Sequence, residues 1–219
     1  MFPFTIIENF FPDPDKIVEI AKSVEYTKHE EDTNYAGARS ENFHVILPDL
    51  HQYICTRILQ PFFSGGDGNE FVSAEAEIGF QIINPLHEDQ YHPKNRGWVH
   101  VDGTNMMGGI IYLNPEPEPD TGTSAYREIL GYSNQYPSAL SVKERFYGGE
   151  DVPDEEYLAA YNRIHDQYEE TIKVENVYNR LVLFNRDCYH GQQTFGKEHT
   201  RLTCYFFFKN ISSAPPFLR

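Results

Sequence analysis

His100, Asp102 and His190 are the residues of this chain whose types and spacing could hold a transition metal. In Gly97-Trp98-Val99-His100-Val101-Asp102, an extended strand places residues 100 and 102 on one face, because successive side chains alternate. Two imidazoles and one carboxylate around an ion that keeps open positions are a facial donor set suited to Fe(II). His190, which follows the apolar run Leu181-Val182-Leu183-Phe184, is the candidate third donor, and His165 and His199 compete with it.

A His-x-acid triplet alone is weak evidence, since it occurs three times: His29-Glu30-Glu31, His87-Glu88-Asp89 and His100-Val101-Asp102. The first two sit in polar surroundings, whereas a metal site needs donors on a rigid element with a dry shell. Only the third leads into an apolar run, Gly109-Ile110-Ile111-Tyr112-Leu113. Taken alone, the three residues could equally serve turns and caps. Arg201 shifts the balance, because it opens the otherwise apolar stretch Leu202 to Phe208. A charge there is normally paired or functional, and a guanidinium grips a carboxylate with two parallel donors.

The elements that must position these groups can be read from periodicity. Phe4 to Phe11 is apolar enough for an opening strand. Asp13-Pro14-Asp15 reads as a helix start, followed by Ile17, Ile20, Ala21 and Val24 at helical spacing. Residues 29–43 are polar and irregular. A second helix is expected from about Pro48 to Gln60, with Pro61 stopping it. Over residues 71–83, Val72, Ala74, Ala76, Ile78, Phe80 and Ile82 alternate with polar or small residues, which predicts a half-buried strand. Further strands are expected at the His100 stretch, at 109–113, at 122–126, at 180–185 and at 201–209. Between them, Pro153 to about Lys173 reads as a helix with the stripe Tyr157, Tyr161, Ile164, Tyr168 and Ile172. Residues 150–175 carry nine acidic residues against two basic ones. That is a solvated face or, on a sharper reading, a substrate lid.

No repeat or linker divides the chain, so residues 1–219 are expected to form one domain of mainly β (α+β) class. Its parts would be a supporting strand and helices (1–65) and an antiparallel sandwich or barrel (71–209) interrupted by a helical insertion at about 127–175. The formal net charge of −15 argues against a nucleic-acid partner, which needs a basic surface, and favours a neutral or basic one. No run approaches the ~20 apolar residues of a membrane span. The start Met1-Phe2-Pro3-Phe4-Thr5 has no basic n-region, and Cys55, Cys188 and Cys204 lack CxxC spacing. A cytoplasmic protein with free thiols is expected.

From about Phe71 to Phe208 the chain resembles the 2-oxoglutarate- and Fe(II)-dependent dioxygenases, of the branch that includes the prolyl hydroxylases. The likeness runs through His100-Val101-Asp102, Ile111-Tyr112-Leu113-Asn114, Gly122-Thr123, Leu183-Phe184, His190 and Arg201, in that order. It implies a double-stranded β-helix (jelly-roll, cupin-like) core with His100, Asp102 and His190 as iron ligands. Arg201 would hold the distal carboxylate of 2-oxoglutarate, and Tyr112 would donate to the same group. It further implies O2 as co-substrate, release of succinate and CO2, ascorbate as a reductant, and hydroxylation of a peptide side chain or small molecule. The tyrosine usual on the strand before the first histidine has no counterpart; Gln81 or Asn84 takes its place, with Tyr91 nearby. A non-catalytic jelly-roll that binds a metal or ligand is the reading from another class. A nucleic-acid demethylase of the same superfamily is disfavoured by the charge.

Overall fold

The computed structural model describes residues 4–28, 32–63, 74–129 and 137–211. The N-terminal part contributes β1 (Phe4–Ile7), α1 (Pro14–Ser23), β2 (Tyr26–Thr27), β3 (Ala38–Ser40), α2 (Phe43–Ile46) and α3 (Pro48–Phe63). The strands β4 (Ala74–Ile83), β5 (Met107–Tyr112) and β6 (Thr123–Glu128) follow. Two helices, α4 (Pro137–Tyr147) and α5 (Asp154–His165), precede β7 (Tyr168–Val174), β8 (Leu181–Asn185), β9 (Tyr189–Gln192) and β10 (Arg201–Ile211).

Among the described residues all strand pairings are antiparallel and fall into two sheets. The larger has the order β1-β8-β5-β10-β4-β3-β2 and the smaller β7-β6-β9. Alternation along β10 explains how one strand serves two layers. Cys204, Phe206 and Phe208 point to a core shared with Ile17, Ile54 and Ile58 of the N-terminal helices. Arg201, Thr203, Tyr205 and Phe207 point the other way, toward the smaller sheet; the Arg201 Nε donates to the Thr121 carbonyl just before β6 (3.0 Å). This is a jelly roll with helices on the outer face of its larger sheet. A second core joins α4 and α5 to Trp98, Ile83 and Phe195. Among the described residues, no helix is long and apolar enough to cross a membrane.

Local chemistry accounts for the elements. Asp13 caps α1, its Oδ1 accepting from the Lys16 N–H (3.2 Å), with Pro14 in the first turn. β4 pairs with the central β10 from Arg201↔Ile83 onward, in register with its alternating side chains.

Several expectations need correction. The helix through Pro61 runs on to Phe63 rather than stopping. The expected helix from Pro153 to Lys173 ends at His165, and its remainder is β7, paired with β6. Thr171, Ile172 and Val174 are β-branched and fit a pleated surface better than a helix turn. The polar stretch 29–43 contains β3, and α4 was not foreseen in the insertion. Residues 97–102 are not a strand either. His100 makes a single bridge to His190, and Asp102 lies in a turn closed by the Asn105 N–H on its carbonyl (2.8 Å). The chain must reverse there to enter β5. The triplet His29-Glu30-Glu31 and the expected strand residues 71–73 lie outside the described residues.

Candidate metal centre

The stretch Gly97 to His100 lies along β9 without forming a strand of its own. Gly97 N–H donates to the Gln192 carbonyl (3.0 Å), and His100 and His190 exchange two backbone hydrogen bonds (3.0 and 2.9 Å). Directly opposed residues of an antiparallel pair project to the same face. That register brings two histidines ninety positions apart in sequence together, with ring centroids 4.4 Å apart. The turn after His100 then swings Asp102 against both. Its Oδ1 lies 3.7 Å from His100 Nε2 and its Oδ2 3.6 Å from His190 Nε2. One donor atom from each of the three lies within 4.8 Å of those of the other two, close enough for one ion.

Hydrogen bonds set the tautomers. His100 Nδ1 faces the Trp98 carbonyl at 2.8 Å and His190 Nδ1 faces the Cys188 carbonyl at 2.9 Å. A carbonyl only accepts, so each ring carries its proton on Nδ1 and turns the Nε2 lone pair toward Asp102. Trp98 is itself held, donating through Nε1 to the buried Tyr157 hydroxyl of α5 (2.8 Å). Phe184 lies against the His190 ring, centroids 3.8 Å apart. Burial pushes the His100 pKa down to about 4, with His190 and Lys143 adding to the shift and Asp102 opposing it. Burial likewise lowers His190, again against Asp102. Both rings are therefore neutral at pH 7, the form that binds metal. Asp102 Oδ2 is buried without a hydrogen-bond partner.

Arg201 is 3 % exposed and forms no ion pair among the described residues, although the chain has 33 acidic residues. Its Nη2 and the neighbouring Thr203 Oγ1 are buried without partners. Burial lowers the Arg201 pKa, and Tyr112 offsets part of that. A desolvated cation beside unsatisfied donors fits an anion that is not part of the chain. Tyr112 is fully buried in β5, its ring centroid 5.6 Å from the Arg201 guanidinium carbon. Its hydroxyl donates to Thr123 Oγ1 of β6 (2.9 Å), so donating to a ligand would require that hydroxyl to rotate.

The competing residues lie elsewhere. His199 uses its backbone N–H on Glu118 at the surface (2.7 Å). His165 is stacked on Tyr161 (3.8 Å, 17°) rather than solvated. Of the three residues weighed for the missing tyrosine, Gln81 is buried and donates to the Ala36 carbonyl (3.1 Å). Tyr91 is 57 % exposed, and Asn84 is engaged by Thr200. A second group, His87, His92 and Asp154, also has donor atoms within reach of one ion. There, however, each Nδ1 accepts a backbone N–H, from Asp89 (3.0 Å) and Lys94 (3.2 Å). The neutral rings carry their protons on Nε2, and Lys94 holds the Asp154 carboxylate (2.7 Å). The lone pairs a metal would need are absent.

Several solved structures are similar to this chain. HygX from Streptomyces hygroscopicus, bound to nickel, 2-oxoglutarate and hygromycin B, is similar at TM-score 0.58 and 11% identity, over 99% of this chain and 84% of HygX. The epimerase SnoN, in complex with Fe3+, alpha ketoglutarate and nogalamycin RO, is similar at TM-score 0.57 and 10% identity, over 98% of this chain and 82% of SnoN. A Pseudomonas putida prolyl-4-hydroxylase is similar at TM-score 0.48 and 14% identity, over 96% and 94% of the two chains. The fold is thus the jelly roll found in 2-oxoglutarate-dependent oxygenases. No curated protein matches the sequence. Residues 2–201 match a family described as "Family of unknown function (DUF6445)".

Proposed function

Because the chain belongs to the DUF6445 family, whose function is unknown, its activity must be argued from the site, and we propose that it is an Fe(II)- and 2-oxoglutarate-dependent dioxygenase. It would hydroxylate a peptide side chain or a small molecule with release of succinate and CO2. The observation that carries this reading is the pairing of two incomplete groups. Two neutral imidazoles and a carboxylate turn converging lone pairs toward one point, and the same jelly roll buries a guanidinium that has no anion among the described residues.

His100, Asp102 and His190 would hold the iron, leaving positions open for the cosubstrate and O2. Bound there, iron with 2-oxoglutarate supplies the oxidising chemistry. The chain's residues orient and shield. The Trp98 and Cys188 carbonyls fix the imidazoles, Phe184 covers His190, and Arg201 with Thr203 binds the distal carboxylate and so sets the cosubstrate's direction. Tyr112 keeps the guanidinium's surroundings polar without adding a charge.

The test is succinate release from 2-oxoglutarate with Fe(II), ascorbate and candidate substrates, beginning with the weak substrate-free turnover. His100→Ala and Asp102→Ala are expected to abolish it. Arg201→Ala should raise the KM for 2-oxoglutarate at least ~30-fold, the ~2 kcal/mol of a lost charge-assisted pair. Full turnover in either ligand variant would overturn the assignment. A non-catalytic ligand-binding jelly roll would bind metal and release no succinate.

A further inference from the structure

We propose that Asn176 is a positioning residue for the buried guanidinium: through Thr121 it fixes the direction in which Arg201 presents its donors to the distal carboxylate of 2-oxoglutarate. This rests on the oxygenase reading above and extends that site by a residue that no motif in the chain marks.

Arg201 makes no ion pair among the described residues, so neutral groups must hold its direction. Its Nε donates to the Thr121 carbonyl (3.0 Å), while its Nη2 is buried without a partner. A guanidinium is a rigid planar fork, so fixing Nε fixes the plane in which the remaining N–H groups point. The Thr121 carbonyl therefore decides where the unused edge of Arg201 faces.

The chain turns sharply just before that carbonyl, at Asp120, whose φ of +57° lies in the left-handed region that aspartate tolerates. The Thr121 hydroxyl donates to the Glu118 carbonyl (2.7 Å) and accepts from Asn176 Nδ2 (3.0 Å), so two bonds in different directions hold its rotamer. Residues 121, 176 and 201 are 3 %, 8 % and 3 % exposed, which screens the relay Asn176–Thr121–Arg201 from water. Asn176 comes within reach because Gly122 packs against the chain leaving β7, where a Cβ would clash with the Val174 carbonyl oxygen.

Packing alone does not account for Asn176. Its Oδ1 is buried without a partner, a desolvation cost that an apolar side chain would not carry. The loop does not depend on it either. Thr194 Oγ1 donates to the Asp120 carbonyl (2.9 Å), and the Gln193 N–H to the Gly122 carbonyl (3.0 Å). With both flanking carbonyls pinned from the end of β9, truncating Asn176 releases the Thr121 peptide alone. A guanidinium then free to swing must be ordered at each binding event, which weakens its grip on a carboxylate.

The experiment titrates the Ni(II)-loaded full chain with 2-oxoglutarate by calorimetry and measures Ni(II) affinity separately. Asn176→Ala should weaken 2-oxoglutarate binding roughly tenfold, as for the loss of a group that orients a ligating side chain, and leave Ni(II) affinity within about twofold. Thr121→Val removes the hydroxyl, keeps the carbonyl and should give the same loss, whereas Thr121→Ser should keep the parent affinity. Combined, Asn176→Ala and Thr121→Val should cost no more than either alone, because they break one relay. If Asn176→Ala does not fold, the contrast between Thr121→Val and Thr121→Ser decides. Parent-like 2-oxoglutarate affinity in Asn176→Ala and Thr121→Val overturns the proposal. So do losses that multiply in the double variant, or that fall equally on Ni(II), the mark of a merely structural role. A loaded parent chain that does not bind 2-oxoglutarate overturns the oxygenase reading and the relay with it; a binding parent with unaffected variants overturns the relay alone.

Discussion

A single hydrogen bond per ring decides which histidines here can hold a metal. His92 lies 3.9 Å from the Asp154 carboxylate, and His190 lies 3.6 Å from that of Asp102. Distance does not separate them, but the partner of Nδ1 does: a donor at 92, an acceptor at 190. Ni(II) titration by calorimetry should therefore give one site per chain. His87→Ala should leave it intact, while His190→Ala should weaken it by more than the roughly 10–100-fold lost when a residue that merely orients a ligand is removed. His165 illustrates another use of burial. It is pushed down to about 3, by burial first and the Arg96 charge second. The unfolded chain binds that proton near the ordinary value of ~6.5, so stability falls as pH drops through the window from ~6.5 toward 3 and is unaffected above it. At pH 5 the cost is about 2 kcal/mol. Urea midpoints at pH 7 and pH 5 should differ less in His165→Phe than in the parent.

At the scale of elements, two adjacent glycines of β5 separate site from fold. A Cβ on Gly109 would lie 2.2 Å from the Val182 carbonyl oxygen and 2.5 Å from Phe206 Cζ, in the middle of the larger sheet. Gly109→Ala should therefore cost about 3 kcal/mol or more, read as a fall in melting temperature or loss of soluble protein. A Cβ on Gly108 would meet Phe207 Cδ1 at 3.0 Å and Asp102 Oδ2 at 3.1 Å. Both are side-chain atoms that can give way, and one belongs to a proposed ligand. Gly108→Ala should fold but bind Ni(II) roughly tenfold more weakly, as the carboxylate is displaced. Legibility divides along similar lines. Arg201 stands out in the chain because a charge is costly where the apolar pattern puts it, whereas His100, Asp102 and His190 are read from their order and spacing. The strand carrying His190 could not be read, because Tyr189-His190-Gly191-Gln192 has no alternation and is held by pairing with β6. Asp102 was matched to His100 by an extended-strand argument, yet a turn delivers it. Helix α4 was missed for a related reason: a charge, Lys143, in its stripe masks the helical period.

Across the molecule's described residues, the Arg201 cation between the sheets and the Asp102 carboxylate against two neutral imidazoles are buried without a compensating charge. In the proposed reading the ligands complete both, so stability and loading are linked. At a hundredfold excess over Kd, bound ligand adds about 2.7 kcal/mol. For a chain of this length that raises the melting temperature by roughly 5–11 °C. The increments should be ordered. Ni(II) alone should stabilise the parent, 2-oxoglutarate alone should do little because chelation to the metal is missing, and the two together should exceed their sum. Arg201→Met should keep the Ni(II) increment and lose the one from 2-oxoglutarate. Without ligand it should be as stable as the parent or more so, since replacing an uncompensated buried cation with an apolar side chain removes a desolvation cost. His100→Ala should lose both increments. An Arg201→Met chain that unfolds without ligand would show that the guanidinium supports the fold through the Thr121 carbonyl rather than waiting for an anion.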